Sequence, residues 1–258
     1  MPKKELPPNN PENENKSKSN NEQIIDATCD LVCAYKPNIA FYEAQGTQGL
    51  EALSVTIDYI RDTCPDVPVI LDAKRADIGN TNLGYVEAAF DHYGADAVTV
   101  HPYLGKEALK PFLDRKDKGI IVLVKTSNPG ADEFQDLFVS RFTDVSTTRM
   151  YEYVAKRVSK HWNENGNVGV VVGATYPHHL EYVRKIVGDM PILIPGIGAQ
   201  GGEVEETVKA GMDNRGWGMI INSSRGIIFA SKQLDFAEAA RRETEKLRNH
   251  INEIRQAV

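Results

Sequence analysis

Val67-Pro68-Val69-Ile70-Leu71-Asp72-Ala73-Lys74-Arg75-Ala76-Asp77-Ile78-Gly79-Asn80-Thr81 changes character abruptly at Asp72. Its first part is a short apolar run, the pattern of a strand buried on both faces of a parallel sheet. Its second part sets carboxylates and cations at the strand's carboxyl end and leads into a helix. Asp72 and Lys74 are two residues apart, so in extended chain their side chains point the same way. Asp77 follows where the chain turns. Unlike charges at a strand mouth are costly unless mutually paired. Either they form a salt-bridge cluster bracing the turn, or they form a catalytic array.

The same texture recurs along the chain. Apolar runs at Leu31–Tyr35, Val67–Leu71, Ala97–Val100, Ile120–Val124, Val168–Val172, Ile192–Ile194 and Met219–Asn222 read as strands. Amphipathic stretches separate them: Leu50, Leu53, Ile57 and Ile60 share one helical face, as do Tyr182, Val183 and Ile186. A charged helix from about Phe236 to Ile254 closes the chain. Strands alternating with helices imply parallel βαβ units. Nearly every strand ends in polar or small residues: Lys36, Asp72–Lys74, His101, Lys125–Ser127, Gly173–Thr175, Pro195–Gly196 and Asn222–Arg225. A TIM (β/α)8 barrel converges all such ends on one mouth, whereas a doubly wound sheet collects only those near its switch point. The expected fold is therefore that barrel, with seven of its eight strands recognisable.

Bulk properties agree. The chain has 258 residues, 41% hydrophobic and 26% charged, close to the size of one barrel domain. The expected organisation is a polar lead-in over residues 1–22 and a single barrel domain over 23–258. A formal net charge of −6 gives no field to attract nucleic acid or an anionic membrane, so an anionic substrate needs a local basic site. No apolar run spans a bilayer and the N-terminus lacks the apolar core of a signal peptide. Cys29, Cys33 and Cys64 form no CxxC pair and read as thiols in a reducing, cytoplasmic setting.

Lys36, in Ala34-Tyr35-Lys36-Pro37-Asn38, ends the strand before the Asp72 strand, which brings it close enough to build an alternating Lys36–Asp72–Lys74–Asp77 array. Gly196-Ile197-Gly198-Ala199-Gln200-Gly201-Gly202 precedes a helix, and Asn222-Ser223-Ser224-Arg225-Gly226 ends the last strand. Free backbone N–H groups at the former and a guanidinium at the latter suit a phosphate, which barrels bind after strands seven and eight. His101, His178 and His179 read as structural, and no Cys/His/Asp cluster has zinc-site spacing. Two lysines in the mouth would also repel a cation, so neither metal nor cofactor is expected.

These segments resemble the orotidine 5′-monophosphate decarboxylases. Asp72-Ala-Lys74-Arg-Ala-Asp77-Ile-Gly-Asn-Thr81 is similar to that family's Asp-x-Lys-x-x-Asp-Ile-x-x-Thr motif, in the version of the bacterial type 2 subgroup. Ala34–Asn38, His101–Gly105, Lys125–Gly130, Pro195–Gly202 and Asn222–Gly226 flank it in the family's order, and the likeness runs from about Ile24 to the C-terminus. It implies decarboxylation of orotidine 5′-monophosphate to UMP. Asp72 would face the substrate carboxylate, Lys74 would stabilise and protonate the C6 carbanion, and Lys36 would orient Asp72 and hold the ribose. Asp77 and Thr81 would reach a partner's site across a two-fold homodimer. Ser127 would contact the pyrimidine, with Gln200, Gly201, Ser224 and Arg225 at the phosphate.

Two alternatives remain open at this point. One is a metal-dependent sugar-phosphate lyase of the same barrel group, although Lys36 stands where such a site wants an acidic ligand. The other is an inactive fragment that binds nucleotide without turnover. The family's first strand, ending in Gly-Leu-Asp-Pro, has no counterpart ahead of Met1-Pro2-Lys3-Lys4-Glu5-Leu6-Pro7-Pro8. The expectation is thus a chain that starts inside the barrel, with a gap beside Lys36 and reduced stability or activity, unless the lead-in supplies the eighth strand.

Overall fold

Six of the apolar runs become the strands of one parallel sheet. A computed structural model describes residues 18–140, 147–197 and 201–257, with Gly201 and Gly202 described by backbone alone. The helices α1 (Asn20–Thr28), α2 (Ile39–Glu43) and α3 (Gly46–Thr63) lead to β1 (Ile70–Arg75). Next come α4 (Gly79–Val86), β2 (Ala97–Val100), α5 (Gly105–Leu113) and β3 (Gly119–Lys125). A lobe over the mouth holds α6 (Asp132–Gln135) and a two-strand ribbon of β4 (Phe138–Val139) and β5 (Thr148–Arg149). The chain then runs through α7 (Met150–Arg157), β6 (Val168–Val172), α8 (Pro177–Val187), β7 (Ile192–Pro195), α9 (Gly201–Gly211) and β8 (Met219–Asn222). The helices α10 (Arg225–Ile228) and α11 (Phe236–Gln256) complete it. A capping box between Ser19 and Glu22 starts α1 at Asn20, three residues ahead of the expected domain start.

Strand order is β1-β2-β3-β6-β7-β8, all parallel, following the chain without reversal. A doubly wound sheet reverses order once and covers both faces with helices. Here alternate strand residues separate into two layers. Val98, Val100, Ile120, Val122, Val170 and Ile194 pack outward among helix side chains. Ile70, Ala97, Ile121, Val171 and Leu193 form a second cluster that contains no helical residue. A sheet whose inner face packs on itself while helices cover its outer face is a barrel wall. All six strand ends point to one mouth.

Leu31–Tyr35, expected as a seventh strand, is corrected by the structure. Only two isolated parallel bridges form, Tyr35 with Val69 and Asn38 with Asp72. Pro37 lacks an N–H and Pro37 O accepts from Asp72 N at 2.9 Å, so pairing survives on one edge in fragments. The other edge meets no strand among the described residues. Between it and β8 lies a cavity of about 400 Å3, lined by Ala34, Tyr35 and Ile70 on one wall and by Leu193, Ile220 and Ile221 on the other. Of the expected lead-in over residues 1–22, residues 1–17 lie outside the described residues.

Two further expectations are revised. Leu180, Val183 and Val187 form the buried stripe of α8, and Tyr182 is exposed, because the apolar face follows the i, i+3, i+7 positions from Leu180. Cys29 and Cys64 are disulfide-bonded, leaving Cys33 as the free, exposed thiol. The C-terminal caps of α1 and α3 come together with Cα atoms 5.9 Å apart, a proximity that their separation of 35 residues conceals. The cysteine pattern therefore does not argue for a reducing compartment.

Candidate active site

The mouth is organised around one buried carboxylate. Asp72 of β1 has a side chain only 9% exposed, and each oxygen is bound by an ammonium. Lys36 Nζ donates to Oδ2 at 2.7 Å and Lys74 Nζ to Oδ1 at 2.6 Å. Asn38 Nδ2 adds a long contact to Oδ2 at 3.4 Å, and Thr99 Oγ1 donates to Oδ1 at 2.9 Å. Burial pushes the Asp72 pKa up, but the charges and hydrogen bonds of Lys36 and Lys74 outweigh it and hold the carboxyl below its ordinary range. Asp72 is therefore an anion at neutral pH.

Lys74 gets there by a route the sequence did not suggest. The register of β1 with β2 shifts between Leu71 and Arg75, and Lys74 has φ 47°, the one positive value at a non-glycine among the described residues. Asp72 and Lys74 meet through this left-handed bulge and not through simple extended alternation. Lys36 is nearly buried, with its side chain 12% exposed, whereas that of Lys74 is 50% exposed. One lysine is a fixed brace and the other keeps a face open to the mouth.

Asp77 stands apart from this triad and makes no ion pair among the described residues. Its Oδ1 accepts from Ile78 N at 2.7 Å, and its backbone is clasped by the buried Asn82 side chain, which accepts from Asp77 N at 2.8 Å and donates to Asp77 O at 2.6 Å. Thr81 lies exposed in the first turn of α4, beside exposed Ile78 and Leu83. The four-member array is thus three members within this chain, with Asp77 displaced toward an apolar surface.

Ser127 follows β3 and is pressed between the ends of β6 and β7. A Cβ added to Gly173 would sit 2.7 Å from Ser127 Cβ, and one on Gly196 would sit 3.3 Å from Ser127 Oγ. Behind it, Gln135 Oε1 accepts from Thr126 N at 2.9 Å while Gln135 Nε2 donates to Thr126 Oγ1 at 2.8 Å. Buried Lys125 donates to Asp136 at 2.9 Å and tethers the same lobe.

Lys36, Gly196, Asn222, Ser224 and Arg225 line one open cavity of about 1080 Å3, so Lys36 of the triad shares it with the β8 end. Asn222 Nδ2 donates to Ser224 Oγ at 3.1 Å, and Arg225 is exposed with no carboxylate partner among the described residues. Gln200 lies outside the described residues, and Gly201 begins α9. Among the described residues, no three His, Cys, Asp or Glu side chains come together as a metal-ion set.

Thr99, Asn38 and Gln135 were missed from sequence. The one available signal was a threonine inside the otherwise apolar strand Ala97-Val98-Thr99-Val100, a polar group buried where only a specific partner justifies it.

A family model described as orotidine 5′-phosphate decarboxylase / HUMPS family matches residues 14–242. The orotidine 5′-phosphate decarboxylase of Cupriavidus metallidurans is 51% identical over 233 residues, 90% of this chain and 83% of that protein. The OMP decarboxylase structure of Leishmania donovani superposes with a TM-score of 0.82 at 39% identity, covering 93% of this chain and 87% of its own. The UMP synthase structure of the same organism gives 0.83 at 41% identity, covering 92% of this chain and 50% of its own. A family match over most of the chain, with half the residues identical to a named relative, settles kinship: the chain belongs to the orotidine 5′-phosphate decarboxylase / HUMPS family.

Proposed function

We propose that this protein decarboxylates orotidine 5′-monophosphate to UMP and CO2, the closing step of pyrimidine nucleotide synthesis. The observation that carries the proposal is Asp72, an anion held between Lys36 and Lys74. A substrate carboxylate placed against Asp72 is repelled in the ground state, and that repulsion vanishes as CO2 leaves. When the C6–carboxyl bond breaks, its electron pair stays on C6. The half-exposed Lys74 ammonium stabilises that charge and then donates its proton to C6, and solvent reprotonates the amine. Lys36 fixes Asp72 and reaches the ribose. Two ammoniums around one carboxylate leave the mouth locally positive, as an anionic substrate of a chain with net charge −6 requires.

Ser127 would hold the pyrimidine, and Arg225 with Ser224, Gly201 and Gln200 would hold the phosphate. The placement of Asp77 and Thr81 beside exposed Ile78 and Leu83 supports a homodimer in which both residues complete the partner's site. The proposed setting is cytoplasmic; no helix among the described residues is long and apolar enough to cross a membrane.

The family description also covers HUMPS chemistry, so a metal-dependent sugar-phosphate lyase is the reading to separate. Such a site needs Asp72 free to bind a cation, and Lys36 already occupies one of its oxygens at 2.7 Å. Mixing protein with orotidine 5′-monophosphate and following pyrimidine absorbance, with and without chelator, is the test. Loss of absorbance unaffected by chelator is expected. No loss, or loss abolished by chelator, contradicts the proposal.

A further inference from the structure

Thr99 of β2 lies directly under the bulge that carries Asp72 and Lys74, and it is 1% exposed. The register shift between Leu71 and Arg75 takes the amides of Ala73 and Lys74 off the β2 ladder. Thr99 Oγ1 accepts from both, each at 3.0 Å. A hydroxyl has two lone pairs and one proton, so those two amides use its acceptor capacity and leave the proton to donate. That proton goes to Asp72 Oδ1 at 2.9 Å, the same oxygen that receives Lys74 Nζ at 2.6 Å. Every hydrogen-bonding capacity of this buried group is spent on the three-residue stretch from Asp72 to Lys74, which carries both residues assigned to the chemistry.

We infer that Thr99 is a positioning residue for the decarboxylation: it holds Lys74 in its left-handed turn and fixes the Asp72 oxygen that faces the lysine. The inference rests on the decarboxylase reading above. A left-handed conformation at a lysine persists only where its surroundings over-determine it, and here two consecutive amides are pinned to a side chain of the neighbouring strand. Without the hydroxyl both amides lose their acceptor and Asp72 loses a donor to its ionised form. The ammonium then no longer stands at a defined distance from the reacting carbon, and small misplacements of reacting groups cost large factors in rate. A threonine that merely braced the sheet would affect folding and leave these quantities alone.

The test compares Thr99→Val, which keeps the β-branched shape and removes the hydroxyl, with Thr99→Ser, which does the reverse. The expected result for Thr99→Val is a kcat about 100-fold lower, with UMP affinity within about threefold of the parent. Its acid limb of kcat/KM should also move to higher pH, because the carboxylate has lost a donor. Thr99→Ser should recover kcat to within about fivefold. If Thr99→Val keeps kcat within about threefold while its melting temperature falls, the role is structural and the inference is overturned. If Thr99→Val does not fold, Thr99→Ala takes its place beside Thr99→Ser: a kcat loss of about 100-fold in the alanine variant that serine recovers upholds the inference, and an alanine kcat within about threefold of the parent overturns it. A parent protein that never converts orotidine 5′-monophosphate overturns the decarboxylase reading and this inference together, an outcome distinct from either variant result.

Discussion

Lys74 Nζ meets Asp72 Oδ1 at 2.6 Å across a stretch of strand that bends through a left-handed residue to bring them together. In regular extended chain, side chains two residues apart share a face but stand about 6.5–7 Å apart along it. At the bulge Lys74 is half exposed while Asp72 is buried. Both properties are needed by a group that must stay charged, stay placed, and still touch a substrate.

Arg225 is exposed in the shared cavity without a carboxylate partner among the described residues. Arg225→Ala should weaken UMP binding by about 100-fold and leave uridine binding nearly unchanged, since a guanidinium–phosphate contact has no counterpart in the nucleoside. Calorimetric titration of both ligands checks this. Equal weakening would place Arg225 away from the phosphate.

Asp77 should act in trans. Mixing the Lys74→Ala and Asp77→Ala proteins should restore activity through heterodimers that contain one intact site. Measured activity that stays at the level of the separate variants, with mixed dimers demonstrated, would assign Asp77 to its own chain's site.

Gly173 makes room for Ser127. An alanine there would put its Cβ 2.7 Å from Ser127 Cβ and 2.9 Å from Ser127 N, and backbone does not yield as a flexible side-chain end does. Gly173→Ala should raise the Kd for UMP at least about tenfold while changing that for ribose 5-phosphate by less than about twofold. Matching losses for both ligands would mean that the mouth as a whole has moved.

His179 gives a pH dependence separate from the active site. Burial, reinforced by His178 and Lys125, pushes its pKa down to about 4. The unfolded chain takes up this proton near pH 6.5, the folded one near 4, so stability falls as pH drops through that interval and levels off below it. Urea midpoints should therefore decline between pH 7 and 4 less steeply in His179→Gln than in the parent. Parallel slopes would show that His179 titrates alike in both states.

Much of the layout was legible because it depends on periodicity. The apolar runs around Val98, Val122, Val170 and Ile194 became strands in chain order, and their polar ends marked the mouth. Asp72, Lys74 and Lys36 were found because opposite charges at strand ends require partners. What stayed hidden was non-local or conformational. The Leu31–Tyr35 run has strand composition, yet a strand needs neighbours, and one edge has none among the described residues. The Cys29–Cys64 bond depends on how two helices pack. Thr99 is one hydroxyl in an apolar strand, and its importance follows from a bulge in the adjacent strand that no spacing rule announces.

The most direct test of the central claim is the rate of UMP formation from orotidine 5′-monophosphate by the parent and by Lys74→Ala, measured alongside UMP affinity. Removing the cation that stabilises and protonates C6 should cost about 4 kcal/mol, a rate loss of about 1,000-fold, with UMP affinity held within about tenfold. Turnover by Lys74→Ala within about tenfold of the parent would contradict the account.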